Sequence, residues 1–385
     1  MLRKISYSFL SLLGACVLAV VSHIGTLQAA EIRHLYDAEV PVKDQTASER
    51  KQAIQQALIR VMIKVSGNAQ VALTNGMPSV LQKANNYVRE YRYQAAPAPA
   101  TTSSSTETPD QPLSELWVRF SPDAVNSQLR KLALPVWGRA RPATLVWLAY
   151  DDQGERGLLN GNEHPEIKQQ LDDEAARRGL PLVWPLLDLE DQAKISFADV
   201  WAGFQDRVVA ASGRYQSEAI LVGRLLHRRD GTWDARWHLF TSATGPAQAW
   251  ESSGDLTEVI PVGINNTADQ LAGRYAQTGE SGTSLVHIRI NNVNSAGAYE
   301  RSLKFLRGLE PVEDIQLVSL NTDSVDFNLQ LRGTQNDLMQ SLKLSDNKLL
   351  LPVASQPVPI TTPPVATSPQ TTQITPEILT FRFLK

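Results

Sequence analysis

The chain has one cysteine in 385 residues, Cys16, and it lies inside an N-terminal segment that reads as a leader. Whatever follows must fold without an intramolecular disulfide, a thiolate metal site or a cysteine nucleophile. Each domain therefore has to be held by an apolar core of its own. At roughly 100–200 residues per domain, the length allows two or three.

Arg3 and Lys4 precede an uncharged run from Ile5 to Val21, and the polar stretch after it ends Leu27-Gln28-Ala29-Ala30. A positive start, an apolar middle and small residues at the end describe a secretory signal peptide over residues 1–29, with cleavage after Ala29. The expected location is the periplasm, away from ATP and cytosolic cofactors. Two alternatives stand beside it. The run 5–21 holds 17 residues, at the lower edge of the roughly 17–25 that span a bilayer, so it would serve uncleaved as an inner-membrane anchor. Leu13-Gly14-Ala15-Cys16 resembles a lipobox, although the apolar run continues past Cys16 where a polar tether is usual.

Formal charge is −3, and losing Arg3 and Lys4 with the leader takes it to −5. Arg177-Arg178 and Arg228-Arg229 are isolated basic pairs, too short to track a phosphate backbone, so no nucleic-acid partner is expected.

Two low-complexity stretches divide the rest. Residues 95–112 are Ala, Pro, Ser and Thr with two acids, and residues 352–376 carry seven prolines. Both read as solvated, largely extended segments: a disordered loop and a Pro/Thr-rich linker. Between them the expected architecture is α+β and α/β multidomain. An N-terminal α+β module covers 31–134. It has a strand at Leu35–Val42, a helix behind the capping box Thr46–Glu49 that stops at Gly67, a second helix from Pro78, and a hairpin spanning the 95–112 loop. A central α/β module covers 142–278. Apolar strands are expected at Ala143–Ala149 and Leu180–Leu187, helices from Pro165 and over Ala198–Ala211 and Thr267–Ala276, and a hairpin around Asp230-Gly231. A third module, 283–351, reads β-α-β-β-α-β, the ferredoxin-like plan. Leu379, Phe381 and Phe383 alternate in a last strand within 377–385, expected at a sheet edge.

Several segments together resemble an uncharacterised Gram-negative family, domain of unknown function number two thousand and sixty-six. They include Tyr36-Asp37-Ala38-Glu39-Val40-Pro41-Val42, Arg60 to Gly67, Leu116 to Phe120, Leu134-Pro135-Val136-Trp137-Gly138, Gly179-Leu180-Pro181, Leu186 to Asp191 and Leu221 to Leu225. The resemblance spans roughly residues 35–275 and implies an exported envelope protein with no assigned reaction. More loosely, the central module is similar to small α/β domains of periplasmic assembly and translocation proteins.

Chemistry-bearing motifs are sparse. Asp188, Glu190 and Asp191 follow an expected strand, and Asp151 and Asp152 follow another, at the strand ends where open α/β sheets gather ligands. Clustered carboxylates would hold a cation or share acid/base work, but the favoured reading is that they cap the turns that follow and stay solvated. His34, His164, His227, His238 and His287 show no zinc spacing, and Gly-x-Ser-x-Gly and Gly-rich phosphate loops do not occur. No metal, cofactor or catalytic residue is expected. The eight tryptophans, Trp117 to Trp250, sit among Val and Leu at core spacing. Trp137 differs, in a segment between Pro135 and Gly138 too punctuated for a regular element.

The expectation is a non-enzymatic exported protein that binds another envelope protein. Its binding residues would be Trp137 and Arg139 in the Pro135–Pro142 junction, and Asp188, Glu190 and Asp191 on the sheet rim. Membrane contact is expected only if the N-terminal segment is retained. The alternative is a periplasmic enzyme or binding protein acting on envelope glycans through carboxylates near Asp151 and Asp188. A solute-binding protein would need two comparable lobes, which the element order lacks.

Overall fold

The computed structural model describes residues 34–95, 114–160, 163–241, 245–277, 283–345, 350–352 and 378–384. The expected leader, residues 96–112 of the loop and residues 353–376 of the linker lie outside them. Within them the chain has a multidomain α+β fold, built on three sheets.

In the N-terminal module, β1 (Asp37–Val42), β2 (Val88–Ala95) and β3 (Ser114–Phe120) form an antiparallel sheet with β3 in the middle. Helix α1 (Ala47–Ser66) lies on it, with Ala57, Leu58, Val61, Met62 and Val65 in the core at helical spacing. Thr46 accepts from the Glu49 amide at 3.3 Å, but Glu49 reaches back to the Lys43 amide rather than to Thr46. Gly67 ends the helix in the left-handed region, φ 70°. Helices α2 (Met77–Gln82) and α3 (Pro122–Lys131) complete the module.

The central sheet runs β5 (Glu155–Leu158), β4 (Thr144–Asp152), β7 (Ala219–His227), β8 (Trp233–Phe240), β9 (Gln248–Gly254), with β6 (Leu182–Val183) pairing β4 separately. β4 and β7 are parallel, and β4 is buried on both faces. Val146, Leu148 and Tyr150 enter one core, while Leu145, Trp147 and Ala149 enter another on the opposite side. That explains the uninterrupted apolar run. Helix α4 (Pro165–Arg178) covers the first face, with α8 (Leu256–Tyr275). The short helices α5 (Leu189–Lys194), α6 (Phe197–Ala202) and α7 (Gln205–Ser212) precede β7, and α6 and α7 pack into the core of the second face.

Several expected elements differ. The strand at Leu180–Leu187 shrinks to two residues, because Pro181 and Pro185 have no amide to give a ladder. The helix over Ala198–Ala211 is two helices, broken at Gly203 with φ 68°. Conversely, the helix expected from Thr267 begins at Leu256: the Asp255–Glu258 capping box starts it and it runs through Pro261. Only the bond to the Thr257 carbonyl is forgone there. Gly263, next but one, gives the space Trp237 occupies, since a Cβ would lie 2.4 Å from its ring.

The third module contains β10 (Thr283–Asn291), α9 (Ala296–Gly308), β11 (Val312–Leu320), β12 (Ser324–Arg332), α10 (Gln335–Leu344), β13 (Leu350–Pro352) and β14 (Leu379–Phe383). The βαββαβ order is present, but the sheet reads β11-β12-β10-β14-β13. The last strand is therefore not at the edge: it stands between β10 and β13, where Leu379, Phe381 and Phe383 fill the core.

Candidate binding site at the junction of the modules

The segment 134–142 passes from one core to the next. Leu134 and Val136 belong to the N-terminal core and Trp137 to the central one. Val136 exchanges two backbone bonds with Gln277, just past α8, and the Trp137 amide donates to the Val65 carbonyl at 2.6 Å. Trp137 is 1% exposed.

Beneath it lies Arg141, fully enclosed. Its Nη2 donates to the carbonyls of Lys64 and Trp137, its Nη1 to those of Arg178 and Gly179, and its Nε to that of Gly138. The guanidinium also sits 4.1 Å over the Trp137 ring. The last carbonyls of α1 and α4 have no helical partner and carry the negative end of the dipole, so one planar cation satisfies both helix ends. Burial lowers its pKa to about 9, leaving it charged at neutral pH. Arg178, also buried, donates to the Gly67 carbonyl at 2.8 Å and to Asn265 Oδ1 at 2.6 Å, and pairs with Asp269. Two buried arginines thus clamp the N-terminal and central modules together.

Above this clamp the third module leaves a cavity of about 510 Å³. Its walls come from all three modules: Tyr36 and Asn126 from the first, Trp137, Arg139 and Tyr275 at the junction, Lys304, Glu310 and Gln340 from the third. Tyr36 donates to Asn126 Oδ1 at 3.1 Å. Burial, with the Glu310 charge adding to it, pushes the Tyr36 phenol up to about 12. Among the described residues Glu310 has only long polar contacts, 3.5 Å to Asn126 Nδ2 and 3.5 Å to Arg130 Nη1. Burial pushes its carboxyl up to about 7, with Arg130 pulling the other way. Arg139 is exposed on the rim. The Trp137 indole N–H finds no acceptor among the described residues. Trp237 and Trp250 share that property, and all three indole nitrogens are shielded from solvent. The volume lies within the ~300–1,000 Å³ usual for ligand sites, and the cavity sits at a domain junction beside an acid whose partners are distant.

The acids at 188–191 are elsewhere and committed to each other's support. Asp188 is the N-cap of α5, accepting from the Glu190 and Asp191 amides at 3.1 and 3.0 Å. Arg214 reaches Asp188 at 2.7 Å and Asp191 at 3.2 Å, and holds the Asp188 carboxyl below its usual range. Asp191 is completely buried, accepting from the Leu187 amide at 2.9 Å and from the Tyr215 hydroxyl. Glu190 is exposed and pairs with Lys194 at 2.7 Å. Asp151 and Asp152 have other partners, Arg156 at 2.7 Å and His227 at 2.6 Å. Asp151, with His227, lines an open groove at the carboxyl ends of β4 and β7, lined also by Arg228 and Arg229. No hydrogen bond or ion pair described joins the 151–152 acids to the 188–191 acids. No group of three or more possible metal ligands occurs among the described residues, and none of their helices is long and apolar enough to cross a membrane.

Residues 29–138 match a domain of unknown function (DUF8605). A search of the curated proteins finds no match to the chain. The resemblance to an uncharacterised family therefore holds in kind, but the family is not number two thousand and sixty-six, and the match stops at Gly138 instead of running to about residue 275. The DUF8605 stretch includes the whole first sheet and Trp137, so the cavity lies across its boundary: Tyr36, Asn126 and Trp137 inside, Glu310 outside. Of the residues singled out from sequence, Trp137 and Arg139 meet here and the acids do not. Glu310, Tyr36, Asn126 and the Arg141 clamp were missed. Arg141-Pro142, a charge between two modules with no nearby acid, was the one available hint.

Proposed function

We propose that this is a non-enzymatic, exported protein of the cell envelope that binds another envelope component at the three-module junction. The observation that carries this reading is the junction cavity, lined by all three modules, whose wall holds an acid with only distant partners. The leader-like residues 1–29 support the periplasm as its location. The clamp below the cavity supports a preorganised site, since binding there need not order the first two modules. The partner is a protein presenting a polar side chain or chain end to Asn126 and Glu310.

The test is position-resolved photocrosslinking in cells. A photoreactive residue at Lys304, on the cavity wall, is compared with one at Asp230, on the distant hairpin. A recurrent protein adduct from position 304 and not from 230 supports the reading. Equal adducts from both, or none beyond those of an exported control, rule it out.

A further inference from the structure

The second face of the central sheet, on the side of α6 and α7, carries a cluster of basic side chains. Arg224 on β7 stands directly opposite Arg236 on β8, and His238, two residues further along β8, is its diagonal neighbour on the same face. Like charges opposite each other in a ladder cost stability, and diagonal neighbours, about 7–8 Å apart, lie within reach of long side chains. One acid joins them: Glu251 on β9, the register partner of Arg236, which forms an ion pair with it. Arg224 and His238 have no hydrogen bond or ion pair among the described residues.

Helix α6 forms the wall of this corner. Trp201 stacks on Phe197 at 5.2 Å, and the Arg224 guanidinium lies 5.1 Å from the Trp201 ring. A ring instead of a carboxylate thus holds the guanidinium, which leaves its N–H donors uncommitted. Gly203 then ends α6, and a Cβ there would sit 3.4 Å from His238 Nε2, so the turn into α7 passes along that edge of the imidazole. Burial first, then the Arg236 and Arg224 charges, hold the imidazole below its usual pKa, with Glu251 pulling the other way. Neutral at pH 7 on its own, His238 gains its proton when an anion comes to rest between the bases. A carboxylate would answer only the guanidinium. A phosphate group, at about −1.5 to −2 near pH 7, answers Arg224 and a protonated His238 together and meets the arginine fork with two oxygens.

We propose that Arg224, Arg236 and His238 form a binding site for a phosphate group. The site lies on the face of the central sheet opposite the core that holds Trp137, so it does not depend on the junction cavity.

The titration of His238 tests it. Full-length protein with isotope-labelled histidine is followed by NMR in inorganic phosphate and in chloride of equal ionic strength, the His238 signal being assigned from its loss in His238→Gln. In phosphate the His238 midpoint should rise by about one pH unit, the equivalent of tenfold tighter binding to the protonated form. Arg224→Gln should abolish the rise in a protein that still melts cooperatively, and Arg224→Lys, which keeps the charge without the fork, should retain a smaller one. Equal midpoints in the two salts overturn the proposal, and so does a rise that survives Arg224→Gln undiminished. Two further probes separate the sources of the phosphate. Sedimentation with phosphatidic acid vesicles but not with phosphatidylcholine vesicles, lost on Arg224→Gln, supports a lipid headgroup. A rise in glycerol phosphate without sedimentation supports a soluble phosphomonoester.

Discussion

Arg141 Nη2 donates to the Lys64 carbonyl at 2.7 Å, which brings a guanidinium from the junction to the C-terminal end of α1. The Lys64 ammonium turns away to the carbonyls of Asp37 and His34, at 2.9 and 3.2 Å. Burial first, and the Arg141 charge second, lower its pKa to about 8. The two cations are accommodated because each has backbone carbonyls of its own, five for the guanidinium and two for the ammonium.

Arg141→Met should therefore cost about 3–5 kcal/mol, the usual scale for stripping a buried charge from its partners. Arg141→Lys should recover little, since one ammonium cannot span acceptors on five residues. Urea denaturation of the three proteins checks both statements.

Gly67→Ala meets two obstacles at once. The residue is left-handed, and an added Cβ would lie 2.2 Å from Ala272 Cβ on α8. Backbone strain and overpacking together predict a loss of about 2–4 kcal/mol. Gly154→Ala shares the positive φ but meets nothing within 4 Å, so it should show the strain alone. Thermal melts of the pair separate the two costs.

The acids at 188–191 should behave as parts of the fold. Asp191→Ala leaves a buried tyrosine and an amide without their acceptor and removes one of Arg214's carboxylate partners, and about 3 kcal/mol or more should be lost. Asp188→Ala removes an N-cap and should cost about 1 kcal/mol. An Asp188→Ala protein of unchanged stability that loses its crosslinked partner would return this cluster to the binding surface.

Glu310 predicts a pH dependence. Its carboxyl is raised from 4.5 to about 7 in the folded chain, so the folded state holds the extra proton between those values. The resulting stability is complete below the lower value and is lost as pH rises through the upper one. Glu310→Gln should flatten the melting temperature across this window. An unchanged slope would show that Glu310 is solvated at the junction.

What the sequence discloses here is local. Helix α1 with its Thr46 cap and Gly67 stop, α4 between Pro165 and Gly179, and the Asp230-Gly231 hairpin are all decided by neighbours in the chain. The α8 start was hidden because Pro261 and Gly263 read as breakers, whereas capping at Asp255 and a socket for Trp237 outweigh them. β5 and β9 were not anticipated: one is four residues long, and the other, Gln-Ala-Trp-Glu-Ser-Ser-Gly, has little apolar signal. At the junction, Trp137 stood out by its awkward setting. Arg141 did not, because its acceptors are backbone carbonyls from distant segments and carbonyls leave no residue signature. The place of β14 was equally invisible, since alternation announces a strand without naming its neighbours.

The most direct measurement is the crosslink yield from position 304 in a chain whose cavity is obstructed by Ser341→Trp, a change on the wall of the cavity. With the melting temperature unchanged, the yield should fall about tenfold, the equivalent of roughly 1.4 kcal/mol of lost affinity. An obstructed cavity that still delivers the same adduct at the same yield would contradict binding at the junction.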